Sequence, residues 1–283
     1  MVYALDSSLR NNQAMAQTIN ASIVTYHTDS GELRHCLSLL ESAQSVATVY
    51  VIDNASDDDT RLIVNEYPKA VYIPSANVGY GAAHNIALRH TLNSPTPYHL
   101  VLNTDIDFRP ADLAELIDYM DTHPAIGALQ PEITDRRGNP LYTVRLLPTP
   151  FDLLLRRFLP ARFMRSHRER YELRHIDRSR PLNIPYHQGS FMLLRSDALR
   201  EAGLFDERFF MYPEDIDLTR RIHALRPTIY YPAVTIIHDH RQASYHSPRM
   251  TRIHILNMIR YFDKWGWFHD PGRTRFNRRT LQQ

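Results

Sequence analysis

HLVLNTDID, running from His99 to Asp107, is the stretch on which the fold turns. A short apolar run, Leu100-Val101-Leu102, leads into two carboxylates spaced i and i+2, Asp105 and Asp107, and Pro95 and Pro97 bound it upstream. Such a run reads as a buried strand of a mostly parallel sheet. The carboxylates then fall at the C-terminal end of the strand, where open α/β sheets bind their ligands. Hard oxygen donors in that place suit Mg²⁺ or Mn²⁺, ions commonly shared with a substrate's phosphates.

Working outward toward the N-terminus, the same alternation repeats. Ala21 to Thr25 (ASIVT) is a first strand, ending at Tyr26-His27-Thr28-Asp29, and a helix from about Ser30 carries Leu33, Leu37 and Leu40 on one face. Thr48 to Ile52 (TVYVI) is a second strand, followed by DNASDDDT, Asp53 to Thr60, a cluster of turn and capping residues. A helix with Leu62, Ile63 and Tyr67 leads to a third strand, Ala70 to Ile73, and then to NVGYGAAHNIAL, Asn77 to Leu88. There Gly79 and Gly81 open a small-residue helix start, a place where free N–H groups and the helix dipole favour phosphate. The spacing matches neither the dinucleotide fingerprint nor a P-loop. Residues 1–20 are polar and read as an extension; residues 21–107 read as a doubly wound, nucleotide-binding half.

Downstream, Arg109-Pro110 starts a helix with Leu113, Leu116, Ile117 and Met120, and Ile126 to Pro131 is another strand followed by a turn-rich hairpin over 134–142. Residues 146–180 differ in kind, opening LLPTPFDLLLRRFLPARFM and continuing dense in arginine. Order returns with a strand over Phe191 to Arg195 and a helix from Ser196. Pro213 suits a helix's first turn, and Glu214, Asp215 and Asp217 are acids favoured at that positive end. Two more strands, Thr228 to Tyr231 and Val234 to Ile237, lead to HDHRQASYHS. Residues 108–245 complete the domain, and 246–283 form a basic, aromatic C-terminal extension.

Composition narrows the class. An apolar fraction of 43% supports a full core, and a net charge of +2 gives no ground for nucleic acid, since no recognised module accompanies the basic clusters. The single cysteine, Cys36, excludes an internal disulfide and suits a reducing compartment; it lies on the Leu33/Leu37 stripe and reads as packing. No apolar run reaches the ~18 residues of a spanning helix, and the N-terminus lacks a signal pattern, so a cytoplasmic location is expected.

With Asn103-Thr104-Asp105, Gly189-Ser190-Phe191-Met192 and Pro213-Glu214-Asp215-Ile216-Asp217 in this order, the chain resembles the family 2 inverting glycosyltransferases of GT-A fold, especially rhamnosyltransferase-like enzymes of bacterial surface polysaccharide and O-antigen assembly. The resemblance runs from Ala21 to Ser244. It implies an α/β fold with a Rossmann-like, mostly parallel central sheet, flanking helices and a C-terminal helical extension. Thr25, Tyr26 and His27 would line the nucleotide pocket; Asp53 would bind the base, with Asn54 and Ser56 shaping its loop. Asn77, Gly79 and His84-Asn85 would lie beside the nucleotide sugar, Thr104 would also bind the nucleotide, and Gly189 and Ser190 would lie beside the donor and acceptor sugars. Asp105 would be the metal ligand, Asp107 a second contributor, and His238 or its neighbour His240 would complete the site. Asp215 would be the general base, supported by Glu214. Partners implied are a nucleoside diphosphate sugar, dTDP-rhamnose first and a UDP-sugar second, and a lipid-linked glycan acceptor on polyprenyl diphosphate.

The chemistry agrees. A departing diphosphate needs a cation, and an attacking hydroxyl needs a carboxylate to take its proton. The plainer readings are a solvated capping turn for Asp53 to Asp59, dipole decoration for Asp217 and a core histidine for His238. A nucleotidyltransferase would need a lysine or arginine near the first strand loop for the triphosphate, and His27 to Glu32 supplies none. A non-catalytic carbohydrate- or nucleotide-binding protein is the other class; its function would survive Asp215→Asn. The segment Leu153, Leu154, Leu155, Phe158, Leu159 and Phe163 with Arg156, Arg157, Arg162 and Arg165 reads as an interfacial helix, and Trp265 to Arg275 suits the same headgroup zone. Peripheral contact with the cytoplasmic face of the inner membrane is the expectation.

Overall fold

Alternating apolar residues build the centre of the molecule. A computed structural model describes residues 18–55, 59–153, 161–239 and 248–283, the side chains of 161–164 and 248–249 excepted. Strands β1 (Ile19–Thr25), β2 (Val46–Asn54), β3 (Ala70–Ser75) and β4 (Tyr98–Leu102) pair in parallel in the order β3-β2-β1-β4. The rest of the sheet is mixed: β8 (Phe191–Arg195) runs antiparallel to β4 and to β6 (Ala128–Thr134), while β6 lies parallel to β9 (Thr228–His238). The short β5 (Ile106–Asp107) and β7 (Leu182–Asn183) pair antiparallel with β9. The two strands expected at 228–237 are thus one, and its pairing with β6 shifts register between Pro131 and Glu132. β1 starts at Ile19, so Ile19 and Asn20 belong to the sheet and are buried.

Period-two alternation sends neighbouring side chains to opposite layers. Leu100 and Leu102 of β4 and Phe191 and Leu193 of β8 join a core with Leu33 and Leu37 of α1 (Ser30–Ser42) and Leu113 and Leu116 of α4 (Pro110–Thr122). Val101, Met192 and Leu194 face the other way, onto Leu88 of α3 (Tyr80–Leu92), Leu199 of α7 (Ser196–Ala202) and Leu218 of α8 (Glu214–His223). Between α1 and β3 lies α2 (Asp59–Val64). Cys36 is fully buried in the first core, and burial pushes its thiol up, as expected of a packing residue.

The face of β1 toward α3 is polar yet sealed. Asn20 donates to Thr91 (3.1 Å), Thr91 meets His99 (2.7 Å), and Ser22 bridges His99 and His84, each at 2.7 Å. Burial keeps both imidazoles neutral, His99 down to about 3 and His84 well below its usual value.

A second core gathers the C-terminal segments. After α5 (Pro150–Leu153) and α6 (Ala161–Tyr171), Leu173, Ile184 and Tyr186 pack with Ile216 of α8, with Tyr261 and Phe262 of α9 (Pro248–Trp265), and with Phe276 of α10 (Pro271–Thr280). The described residues from 248, part of the segment expected as an extension, therefore close over α8. The tail's polar groups are spent inside: Lys264 and the Trp265 indole both reach Asp217, Arg220 stacks 3.9 Å from the Trp265 ring centre, and Arg273 is 7% exposed. Lys264, Trp265 and Arg273 therefore turn inward rather than to the expected headgroup surface. Phe268, 90% exposed, and Arg275 do face outward. Among the described residues no helix is long and apolar enough to cross a membrane.

Candidate functional site

The chain leaves β4 at Leu102 and turns at Thr104–Asp105 before β5 pairs with the far end of β9. That turn breaks the i, i+2 alternation, so Asp105 and Asp107 diverge. Asp105 meets His238, its Oδ2 lying 3.1 Å from Nε2, because Ile106 is opposite His238 and the Asp239 amide donates to the Asp105 carbonyl (2.9 Å). Asp107 turns to His35 of α1 at 3.4 Å. The structure does not bring Asp107 to the Asp105–His238 pair. Thr104 likewise points away and donates to Glu32 of α1. His240 and Ser56 lie outside the described residues.

Among the described residues no three His, Cys, Asp or Glu side chains group as a complete metal cage. The pair nevertheless fits a hard divalent cation. One carboxylate and one imidazole converge, and the other Asp105 oxygen is buried without a hydrogen-bond partner. Ions of this kind usually take only one or two protein ligands and complete their shell with water and substrate phosphate.

Asp215 approaches from α8. Its Oδ2 accepts from the Gly189 amide (3.0 Å) and its Oδ1 from the Ile216 amide (2.8 Å). Gly189 permits the approach, since a β-carbon there would sit 3.3 Å from that of Asp215. Burial raises the Asp215 carboxyl, and those two amides and the charge of Arg145 pull it back. Glu214 is 4% exposed with one carboxylate oxygen unpartnered; burial pushes it well up, and neighbouring Asp215 pushes it further. Ser190 is buried with its hydroxyl unpartnered, and its carbonyl receives the Asn103 amide (2.9 Å).

Tyr80 ties the two halves together, and the sequence reading missed it. Its hydroxyl lies 2.7 Å from the Gly189 carbonyl and 3.0 Å from Asn103 Oδ1. One proton can serve only one of these acceptors at a time. Burial pushes the phenol well up, reinforced by Glu214, Asp215 and Asp105. The only signal was a tyrosine held between Gly79 and Gly81. Those glycines serve packing: a β-carbon on Gly79, at φ +92°, would strike the Phe210 carbonyl at 2.1 Å, and one on Gly81 would meet Phe205 at 2.9 Å. The close approach they permit is to the 205–210 loop.

At the ends of β1, β2 and β3 the expected nucleotide residues do assemble. Asp53 accepts from Thr25 (3.4 Å) and Tyr72 (2.8 Å); Asn54 donates to the Gly79 carbonyl (3.2 Å), and Gly79 donates to Asn77 (3.4 Å). Tyr26 and His27 are exposed beside them, their rings 4.5 Å apart. Asn85 is elsewhere: its amide is spent on the Phe205 backbone (2.9 and 3.0 Å) and Glu207 (2.9 Å). His84 sits in the buried polar chain. Asp217 is a buried anchor for Arg221, Lys264 and Trp265, more than dipole decoration.

The Thr25–Asp53–Asn54 edge, the Asp105–His238 pair and the half-buried Asp215 thus lie at strand ends and in the first turn of α8, on an α/β fold of GT-A type. The model of glycosyl transferase family 2 matches residues 22–203, and the chain belongs to that family. It is 27% identical to the N-acetylglucosaminyl-diphospho-decaprenol L-rhamnosyltransferase of Mycobacterium tuberculosis, over 92% of this chain and 89% of the relative. It is 28% identical to rhamnosyltransferase WbbL of Escherichia coli (strain K12), over 84% of this chain and 90% of the relative. In fold it is similar to GalNAc-T7 solved with UDP, GalNAc and Mn²⁺, with a TM-score of 0.63, 14% identity and 89% of this chain covered. The chain spans about half, 48%, of that protein.

Proposed function

We propose that the protein is a metal-dependent, inverting glycosyltransferase that moves a sugar from a nucleoside diphosphate to a hydroxyl of a lipid-linked glycan. One observation carries it. Hydrogen bonds through Gly189 and Tyr80 tie Asp215 to Asn103, two residues before Asp105 at the end of β4, and the Asn103 amide is held by the Ser190 carbonyl.

In this reading Thr25, Asp53, Asn54, Asn77 and Gly79 receive the nucleotide, while Asp105 and His238 hold Mg²⁺ or Mn²⁺. The bound cation supplies Lewis-acid stabilisation of the departing diphosphate. Asp215 takes the proton of the acceptor hydroxyl as its oxygen attacks the anomeric carbon and the bond to the diphosphate breaks. Burial favours the role, because a carboxyl raised above its usual range is a stronger base once ionised. A single base with no nucleophilic carboxylate gives one displacement, hence inversion.

Rhamnose from dTDP-rhamnose is the first donor, by likeness to the two rhamnosyltransferases, and a UDP-sugar the competing one. The name of the mycobacterial relative supports an acceptor sugar on a prenyl diphosphate. Peripheral contact with the cytoplasmic face of the membrane follows from such an acceptor, and Arg165 on α6, 84% exposed, and Phe268 support it. The test is transfer from dTDP-rhamnose or a UDP-sugar to N-acetylglucosaminyl-diphospho-prenol by wild type and Asp215→Asn. An inverted product from wild type, with the variant's rate down by about a thousandfold or more, supports the reading. Equal rates would refute the base.

A further inference from the structure

Beside Asp215 the site opens into a cavity of about 450 Å³, whose lining includes Arg145, Tyr171, Tyr186, Gln188, His254 and Met258. It contains one arginine among its described lining residues, on the same cavity wall system as the base. Arg145 is held firmly. Its Nε donates to the Tyr142 carbonyl (2.8 Å), and its guanidinium carbon lies 5.9 Å from the ring centres of both Tyr171 and Tyr186.

The neighbouring carboxylates each have other partners. Glu172 attracts Arg145, but that carboxylate is already paired with Arg168 (2.9 Å) and Arg174 (2.6 Å). The acids on the cavity wall are Asp152 and Asp215: Asp152 is engaged by Thr149 (2.6 and 2.7 Å) and His167 (2.6 Å), and Asp215, which also attracts Arg145, accepts from the Gly189 and Ile216 amides. Arg145 therefore faces a partly enclosed space that Met250 and Met258 of α9 also line. A planar guanidinium flanked by aromatics is suited to phosphate, which it can bind through two parallel N–H groups.

We propose that Arg145 anchors a phosphate of the acceptor, so that the enzyme selects sugars carried on a diphosphate over neutral glycans. The proposal rests on the transferase reading above. It deepens that reading by assigning acceptor recognition to a residue outside the donor site, on the cavity that Asp215 also lines.

The test is calorimetric titration of citronellyl diphosphate, citronellol and inorganic pyrophosphate into wild type, Arg145→Gln and Arg145→Lys, in EDTA so that metal-dependent diphosphate binding is silent. Gln keeps a donor for the Tyr142 carbonyl and removes the charge. Wild type is expected to bind citronellyl diphosphate about tenfold or more tightly than citronellol, Arg145→Gln to lose that preference, and Arg145→Lys to keep part of it. Melting temperatures of the variants separate lost binding from lost fold. Equal affinity of wild type and Arg145→Gln for citronellyl diphosphate would overturn the proposal. So would pyrophosphate binding as tightly as the prenyl diphosphate, which assigns the site to a free anion. Titration of dTDP with Mn²⁺ is the separate control: its failure in wild type would sink the donor reading and leave the Arg145 result standing.

Discussion

Glu214 and Tyr80 show how single side chains bear on the centre. In the folded protein burial and Asp215 keep the Glu214 carboxyl protonated where an unfolded chain would ionise it. Its folded value is raised, so its contribution to stability is intact below the unfolded value of about 4.3 and is lost as pH rises toward the folded one. Glu214→Gln should therefore leave stability unchanged below about pH 4.3 and raise it progressively, relative to wild type, as pH climbs above that value, read as melting temperatures across a pH series. A gain that shrinks with pH would contradict the burial argument. Tyr80→Phe removes the hydroxyl shared by Gly189 and Asn103. It should lower kcat about 10- to 100-fold with nucleotide affinity little changed, read by steady-state kinetics beside a nucleotide titration. Neither role was legible beforehand. Glycines flanking a tyrosine look like phosphate-loop chemistry until the 205–210 loop is seen packed against them, and nothing local announces that Tyr80 spans to Gly189.

At the scale of elements, the strand-end turn and the C-terminal helices decide what each acid does. Two carboxylates at i and i+2 share a face only while the strand continues, and the turn at Thr104–Asp105 sends Asp107 to α1. Asp105→Ala should abolish metal-dependent nucleotide binding, while Asp107→Ala should keep it within about threefold, since an exposed pair contributes little; titration of dTDP with Mn²⁺ separates them. α8, which carries Asp215, is clamped by Arg220 and Asp270, a buried pair with contacts of 2.6 and 2.7 Å whose acid also caps α10. Asp270→Ala strands a buried guanidinium and should cost about 3–5 kcal/mol in denaturant unfolding, most of it recovered when Arg220 is also made apolar. The basic, aromatic tail misled because composition does not say which cations are buried. Lys264 and Trp265 meet Asp217 from 47 and 48 positions away, and such pairing leaves no local trace.

Across the whole molecule, the strands were legible because buried strands announce themselves as apolar runs: ASIVT, TVYVI, HLVL and FMLLR all lie in the sheet. The mixed second half was harder to foresee, since antiparallel β8 is as apolar as its parallel neighbours. The ordered motifs located Asp53, Asp105, Asp215 and His238 because each lies at or just beyond a strand end or in the first turn of a helix. Asn85 and Thr104 shared the motifs, yet their side chains point into the fold. The central claim is that the strand-end acid and the helix-borne base form one donor-binding transfer centre. Its most direct test is a thermal-shift panel of dTDP, UDP, GDP and CMP, each with Mn²⁺ or EDTA, on wild type, Asp105→Ala and Asp215→Asn. Binding to the native state raises the midpoint by mass action. The account predicts a Mn²⁺-dependent shift with dTDP or UDP that Asp105→Ala loses and Asp215→Asn keeps. No shift with any nucleotide, or one indifferent to Asp105, would contradict it.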